Sequence, residues 1–570
     1  MRWITKTAGL VVVLLVGCAP SGPGTQARGP DAARPAAPAA PRILTAAINE
    51  DPKNFWEGIN AGGGGGGREL GHMVNQYLVA IGPDGTPTPR LLVELPSVEK
   101  GTWKVAPDGT MEVTYRLRPG VTWHDGTPFT ADDVLFSREV GRDPGIANSN
   151  QGAHRLIDGM TALDQYTVVA SWTQTYAFAD RLEHREFMPL PKHILEGAYR
   201  ESKETLTAQP YFSNEYIGLG PFKVTSWEHG SALEMVANDQ YFLGRPKIDR
   251  IRVMFIPDPN TAFANLRAGA VNVFLPTGGP DYDQLLPLGE EWKASGKGEI
   301  VIETIRWEFA EAQKSQAAQP ADLRDARMRQ ALLMGINRQD MARNLLGEQG
   351  MVAHSWVHPT FSYYPQVKDA IVEYPYDPRR ATALLGELGW TPGPDGMLQK
   401  GGARLQFNLR FESDSEKQGA ILQQDWKAIG ADVQLEFLSN VELRDAERRV
   451  SFTGLYLNTN PMGGASAVRR FAGDQIPTAA NRFSGTNRGA FTSTEWDEVG
   501  LKLRTALDDS KRIELERDLL KVFSVELPAL PIHYQLQSVP VSGLKGFRPV
   551  TGTAHTGNIM HTTNVHEWEM

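Results

Sequence analysis

Residues 43–48 (ILTAAI) form a short apolar run that predicts a buried strand. Soon after, Leu70, Met73, Val74 and Tyr77 recur at helical spacing, which predicts a helix over residues 68–77. Residues 111–117 (MEVTYRL) alternate apolar and polar positions, the period of a half-buried strand. That stretch lies between the turn formers Pro107-Asp108-Gly109 and Pro119-Gly120. Residues 123–128 (WHDGTP) make another turn. Thr130 then stands as N-cap of a helix whose first turn carries Asp132 and Asp133, where negative charge suits the helix dipole. Further along, residues 300–305 (IVIETI) and 405–410 (LQFNLR) read as strands, and residues 511–523 (KRIELERDLLKVF) as an amphipathic helix.

At 570 residues the chain is too long for a single core, so two or more lobes are expected. Its 41% hydrophobic and 22% charged residues are ordinary for a soluble protein. A formal net charge of -9 speaks against a nucleic-acid partner, which needs a basic face. The N-terminus differs from the rest. Arg2 and Lys6 precede the apolar run 8–16 (AGLVVVLLV), too short to span a bilayer and suited to the core of a secretory signal. The run ends at Leu15-Val16-Gly17-Cys18, which is similar to a bacterial lipobox, and Cys18 is the only cysteine. Residues 1–17 are therefore expected to be a signal peptide and Cys18 the lipidated residue. Residues 19–41 are rich in Pro, Ala and Gly and read as a flexible tether, so 18–41 form the lipidated cysteine and its linker.

The chain offers little catalytic chemistry. It has no Gly-x-Ser-x-Gly, no His-Glu-x-x-His and no cysteine cluster. His354 and His358 are four apart, but Trp356 and Pro359 argue against a shared helical face for a metal. His555 and His561 lie in a Gly/Thr-rich stretch and read as surface or hydrogen-bonded histidines. The six glycines at 62–67 open a helix without the Lys-Ser/Thr of a phosphate loop, and read as a mobile loop near a cleft. Neither an enzyme, a metal nor a cofactor is expected.

The run 117–137 (LRPGVTWHDGTPFTADDVLFS) closely resembles the signature of the bacterial solute-binding family that serves peptide, oligopeptide and nickel importers. Further blocks match in order: LPKHIL at 190–195, GLGPFKV at 218–224, NDQYFLGRPKID at 238–249, ANLRAGAVNVF at 264–274, RMRQALLMGINR at 327–338, and Tyr376-Asp377-Pro378 followed by ATALLGELGW at 381–390. Asn272 and Asn337 stand where the family usually has Asp. These residues are turn formers, caps and core positions, so the motifs mark a fold rather than a reactive centre.

The resemblance implies an α/β, two-lobe periplasmic-binding-protein-like fold with a hinge. The N-terminal lobe would comprise residues 42–298 and 528–570, with an inserted subdomain at about 80–190, and the second lobe residues 299–527. It implies an extracytoplasmic substrate-binding lipoprotein, monomeric and held to the membrane through its lipid. Such a protein captures a peptide-like ligand and delivers it to an ABC importer whose permease and ATPase are separate chains. An oligosaccharide-binding protein of the same fold is the alternative; a secreted hydrolase and a sensory or adaptor lipoprotein are alternatives of another class. Peptide-binding members carry an Asp for the ligand's ammonium in a second-lobe loop, whereas the matching stretch here, 455–464 (LYLNTNPMGG), has Asn458 and Asn460 and no acid. The expected ligand contacts are Trp56, Asn60 and Gly218 from the first lobe and Trp307, Arg410, Asn458 and Asn460 from the second. Trp56 and Trp307 would stack on the ligand, and Arg410 would grip a carboxylate or else be a solvated strand-end charge.

Overall fold

The computed structural model describes residues 40–56, 66–82, 85–146, 152–184, 186–275, 279–280, 282–412, 415–439, 442–549 and 560–570. Cys18, Asn60, His555 and most of the glycine run lie outside them. Ten strands build one mixed sheet: β1 (Ile43–Ile48), β2 (Phe222–Glu228), β3 (Ala232–Ala237), β4 (Arg250–Phe255), β5 (Val273–Phe274), β6 (Gly298–Ala312), β7 (Gln406–Glu412), β8 (Asp432–Leu438), β9 (Leu455–Pro461) and β10 (Ala529–Ser542). Their order is β8-β7-β9-β6-β10-β5-β1-β4-β3-β2. β1 is parallel to β4 and β5, and β7 is parallel to β8 and β9. Between these two groups run β6 and β10, 15 and 14 residues long and antiparallel.

This pair is what the chain uses to pass from one side of the molecule to the other. One core gathers β1, β4 and β5 residues such as Leu44, Ile251 and Val273 with Val539 and Val541 of β10 and Trp568 near the C-terminus. At the opposite ends of the same long strands the side chains alternate between two further cores. Ala310, Ala312, Leu530 and Ile532 face Leu455 and Leu457 of β9, while Trp307, Phe309 and Tyr534 face the other way. In β6 period-2 alternation separates the two cores, and in β10 a register shift opposite Trp307 and Phe309 turns Tyr534 to the face away from Leu530 and Ile532.

A four-stranded antiparallel sheet (Trp103–Val105, Met111–Arg116, Ile157–Asp164, Thr167–Trp172) packs its own core around Trp123 and Trp172. The helices needed below are α1 (Gly66–Val74), α2 (Ala131–Arg142), α3 (Lys192–Glu201), α4 (Gly464–Phe471), α5 (Thr494–Thr505) and α6 (Asp509–Glu526). The N-cap expected at Thr130 is present, with its backbone N–H donated to the Asp133 carboxylate at 2.9 Å. Among the described residues no helix is long and apolar enough to cross a membrane, and no group of three metal-ligating side chains forms.

Candidate ligand-binding site

The sequence motifs meet as one knot beside α1. The His124 ring accepts a hydrogen bond from the Gly218 N–H at Nδ1 (3.1 Å), and its Nε2 donates to the Gly220 carbonyl (3.0 Å). Burial pushes this histidine down to about 4, so the ring is neutral and its two nitrogens play opposite parts. Gly220 in turn donates to the Val74 carbonyl at the end of α1 (3.1 Å). A Cβ on Gly220 would meet Val74 C at 2.3 Å and Asn75 N at 2.5 Å, which is why a glycine stands there. The second block locks to the first through α2 and α3. Asp125 bonds His193 (2.8 Å), the Asp133 carboxylate accepts the Lys192 N–H (3.0 Å), and Ser137 Oγ accepts the Leu190 N–H (2.7 Å).

Where β6 and β10 cross between the cores, buried ion pairs flank them. On one side His561 sits between two carboxylates, Nδ1 at 2.8 Å from Glu69 of α1 and Nε2 at 2.7 Å from Glu303 of β6. Burial alone would strip the ring of its proton, but Glu69 and Glu303 outweigh it and hold the pKa up at about 10. Burial would likewise raise Glu69; His561 and Thr562 hold it below the ordinary carboxylate range instead. Further along the pair, His533 of β10 lies 2.6 Å from Glu308 of β6. That carboxylate overcomes burial and raises the imidazole.

The two sides also touch away from the strand pair. The Ala177 N–H donates to the Arg504 carbonyl of α5 (3.1 Å), and Arg512 of α6 lies over the Phe178 ring at 6.0 Å. Close to this seam the Glu186 carboxyl is raised to about 7 by burial and by the neighbouring Glu183, with Arg469 of α4 pulling weakly the other way. A cavity of about 250 Å³ opens between α4 and α5, lined by residues including Trp496, Asp497 and Arg504. That is below the usual size of a pocket for an organic ligand, about 300–1,000 Å³.

This arrangement has relatives. The sequence profile of the bacterial extracellular solute-binding proteins, family 5 Middle, matches residues 96–474. The chain belongs to this family. Its members are extracytoplasmic solute-binding proteins rather than enzymes. Oligopeptide-binding protein AppA of Bacillus subtilis is 28% identical over 349 residues, covering 58% of this chain and 59% of that protein. Di/tripeptide-binding protein 2 of Pseudomonas aeruginosa is 26% identical over 493 residues, covering 82% and 84%. The structure of NikZ from Campylobacter jejuni, solved in complex with Ni(L-His), superposes with a TM-score of 0.73 at 23% identity, over 93% of this chain and 99% of that one. This places the fold among the periplasmic binding proteins.

Within this solute-binding fold the residues singled out from sequence take different places. Trp56 is 5% exposed and stacks on Phe212, their ring centroids 5.4 Å apart. Trp307 does not follow the strand but lies within β6, fully buried against Phe309 and Phe523. Neither ring is offered to a ligand in this conformation, because each fills a core. Gly218 is turned toward Val74 and His124, and its N–H and carbonyl both bond His124. Arg410 is inside β7, not at its end, and its side chain is 1% exposed. It pairs with Glu436, its register partner on β8, at 2.7 Å and donates to the Arg448 carbonyl at 2.8 Å. It is thus neither a solvated charge nor a free carboxylate clamp. Asn458 and Asn460 are on strand β9 rather than in a loop, opposite Phe309 and Trp307 respectively. Asn460 donates to Ser466 Oγ at 3.0 Å, while the Asn458 Nδ2 is buried without a partner.

Sequence reading missed the buried pairs at the strand crossing and the contacts between residues 177–178 and α5–α6. The histidines and glutamates of the first sit on strands, on helix α1 or in a Thr-rich segment whose polarity argued for the surface. The second arise between segments more than 300 residues apart, with no local pattern to betray them.

Proposed function

We propose that this chain is a monomeric lipoprotein of the outer side of the cell membrane that captures a peptide-like ligand between two lobes and hands it to an ABC importer. The lobes are residues 42–298 with 528–570 and residues 299–527, with the inserted subdomain at about 80–190. The observation that carries this reading is the long β6–β10 pair, the chain's two passages between otherwise separate cores. A crossing of two strands is a natural hinge, and the seam at Ala177 and Arg504 is then a contact made on closing. The names of AppA and of the di/tripeptide-binding protein favour a peptide ligand. An oligosaccharide is less favoured, since Trp56 and Trp307, the stacking faces it would use, are buried.

Mass spectrometry of ligand released from the purified protein tests the substrate class. Recovery of peptides supports the reading, and recovery of a glycan overturns it. For the anchor, Cys18→Ser is expected to leave the membrane fraction and keep ligand binding, because residues 19–41 separate lipid from body. A Cys18→Ser protein that still sediments with membranes refutes lipidation at that residue.

A further inference from the structure

Two arginines from opposite sides of the molecule meet over one ring at the seam. Phe178 follows the last strand of the four-stranded sheet, and the Tyr115 hydroxyl pins its segment there by donating to the Ala179 carbonyl at 2.9 Å. The Arg181 guanidinium lies 5.8 Å from the centre of the Phe178 ring, and that of Arg512 on α6 lies 6.0 Å from it. Both side chains are buried, Arg181 9% and Arg512 6% exposed. The corner between α5 and α6 adds two further contacts. Leu507 packs against the core of the four-stranded sheet, and the Arg504 carbonyl takes the Ala177 N–H at 3.1 Å.

Like charges brought together under cover repel, and a low local dielectric strengthens the repulsion. Asp180 stands against it. Its Oδ1 lies 3.5 Å from Arg181 Nε, and its charge also bears on Arg512. Burial and the Arg181 charge hold Arg512 below the usual guanidinium range, while Asp180 and Asp508 pull the other way. Burial raises the Asp180 carboxyl, and Arg181 and Arg512 oppose that rise. Asp509 pairs with Arg512 as well, but it sits on the same helix and is 73% exposed. Among the described residues, Asp180 is therefore the acid that comes to Arg512 from the first side. Arg512 Nη1 is spent within its own side, on the Ala506 and Leu507 carbonyls at 2.9 and 3.2 Å. Asp180 Oδ1, Arg181 Nε and Arg512 Nε have no hydrogen-bond partner among the described residues. Charge and ring stacking, rather than directed hydrogen bonds, hold this part of the seam, so it can part and re-form without leaving a fixed geometry behind.

We propose that Phe178, Asp180, Arg181 and Arg512 form a charge-balanced latch on the closed form, in which Asp180 cancels the repulsion between the two arginines. This goes beyond the solute-binding reading and rests only on its two-lobe closure, not on the kind of ligand. Such a latch lengthens the life of the closed form without touching what that form encloses. It governs how long a ligand is kept, not which ligand is chosen.

The test is amide hydrogen exchange on the full chain, because the Ala177 N–H is bonded across the seam and reports its opening. Wild-type protein is expected to protect that amide. Asp180→Asn is expected to speed its exchange about tenfold or more, while the Thr167–Trp172 strand stays protected. Asp180→Glu keeps the charge and is expected to keep the protection. Removing one of the repelling charges as well, in Asp180→Asn with Arg181→Gln, is expected to restore it to within about twofold of wild type. Raising sodium chloride from about 0.05 to about 0.5 M should narrow the gap between Asp180→Asn and wild type, since screening weakens the repulsion. An Ala177 amide that exchanges freely in wild type, or one indifferent to Asp180→Asn, overturns the latch. So does exchange that spreads into the Thr167–Trp172 strand, which would mark a structural role in the first side, and so does a double variant that is not rescued. If Asp180→Asn does not accumulate as folded protein, Phe178→Leu removes the stacking face at similar bulk and is read in the same way; unchanged protection there overturns the latch. The expected response at Ala177 together with a glycan among the released ligands keeps the latch and removes the peptide reading. A flat response together with released peptides does the reverse.

Discussion

Replacing His561 by Gln removes a charge from between Glu69 and Glu303 while keeping a side chain able to hydrogen-bond. The ring's pKa rises from an ordinary 6.5 to about 10, which corresponds to roughly 5 kcal/mol of net preference for the charged ring once burial's opposing effect is included. Breaking a buried ion pair from one side costs about 3–5 kcal/mol, a figure of the same size. This is one shared interaction and is counted once. The load falls on the C-terminal segment, where Val565 and Trp568 join the first core. Hydrogen exchange of the amides in residues 560–570 therefore reads it directly. The His561→Gln variant should exchange there roughly 10²–10⁴-fold faster. Glu303→Gln leaves the ring paired with Glu69 and should cost less, about 1–2 kcal/mol. The pH dependence follows in sign. A histidine raised on folding contributes fully below pH 6.5 and loses that contribution as pH climbs toward about 10. Wild-type protection, corrected for intrinsic exchange, should fall over that window, and the variant should not share the fall. A flat wild-type profile between pH 6.5 and 9.5, or a Glu303→Gln variant weaker than His561→Gln, would refute the reasoning.

Gly220→Ala puts a methyl group 2.3 Å from a backbone carbon of Val74, so it should cost more than about 3 kcal/mol and show as loss of soluble protein or an early denaturant transition. Wild-type solubility and melting would contradict the close approach. Arg410→Gln should destabilise by about 3 kcal/mol, because Glu436 then keeps only its 2.9 Å partner Arg448, and ligand affinity measured well below the melting point should be unchanged. A selective loss of affinity at unchanged stability would return Arg410 to the ligand site.

The elements were legible wherever local pattern and packing agree. The strands at 43–48 and 111–117, the helix capped at Thr130 and the amphipathic helix near 511–523 appear as β1, the Met111–Arg116 strand, α2 and α6. The motif blocks were legible for the same reason: His124, Gly220, Asp133 and His193 are each fixed by a steric or hydrogen-bond demand that few other residues meet. Boundaries slipped where a strand runs on. Residues 300–305 are part of the fifteen-residue β6, and that extension carries Trp307 into a core instead of leaving it beyond the strand. The same effect moved Asn458 and Asn460 from a loop onto β9.

Side-chain roles were harder to read because charge placement is a property of pairs. Arg410 and Arg488 look alike in sequence, each an arginine near apolar and aromatic residues. Arg410 has a register partner, Glu436, directly across the β7–β8 ladder, so its charge is settled within the sheet. Arg488 lies outside any strand and rests on Tyr456, whose own hydroxyl has taken the nearby Glu412. How an arginine's charge is settled therefore depends on which acid stands opposite, and for Arg410 that is fixed by the register of strands 26 residues apart.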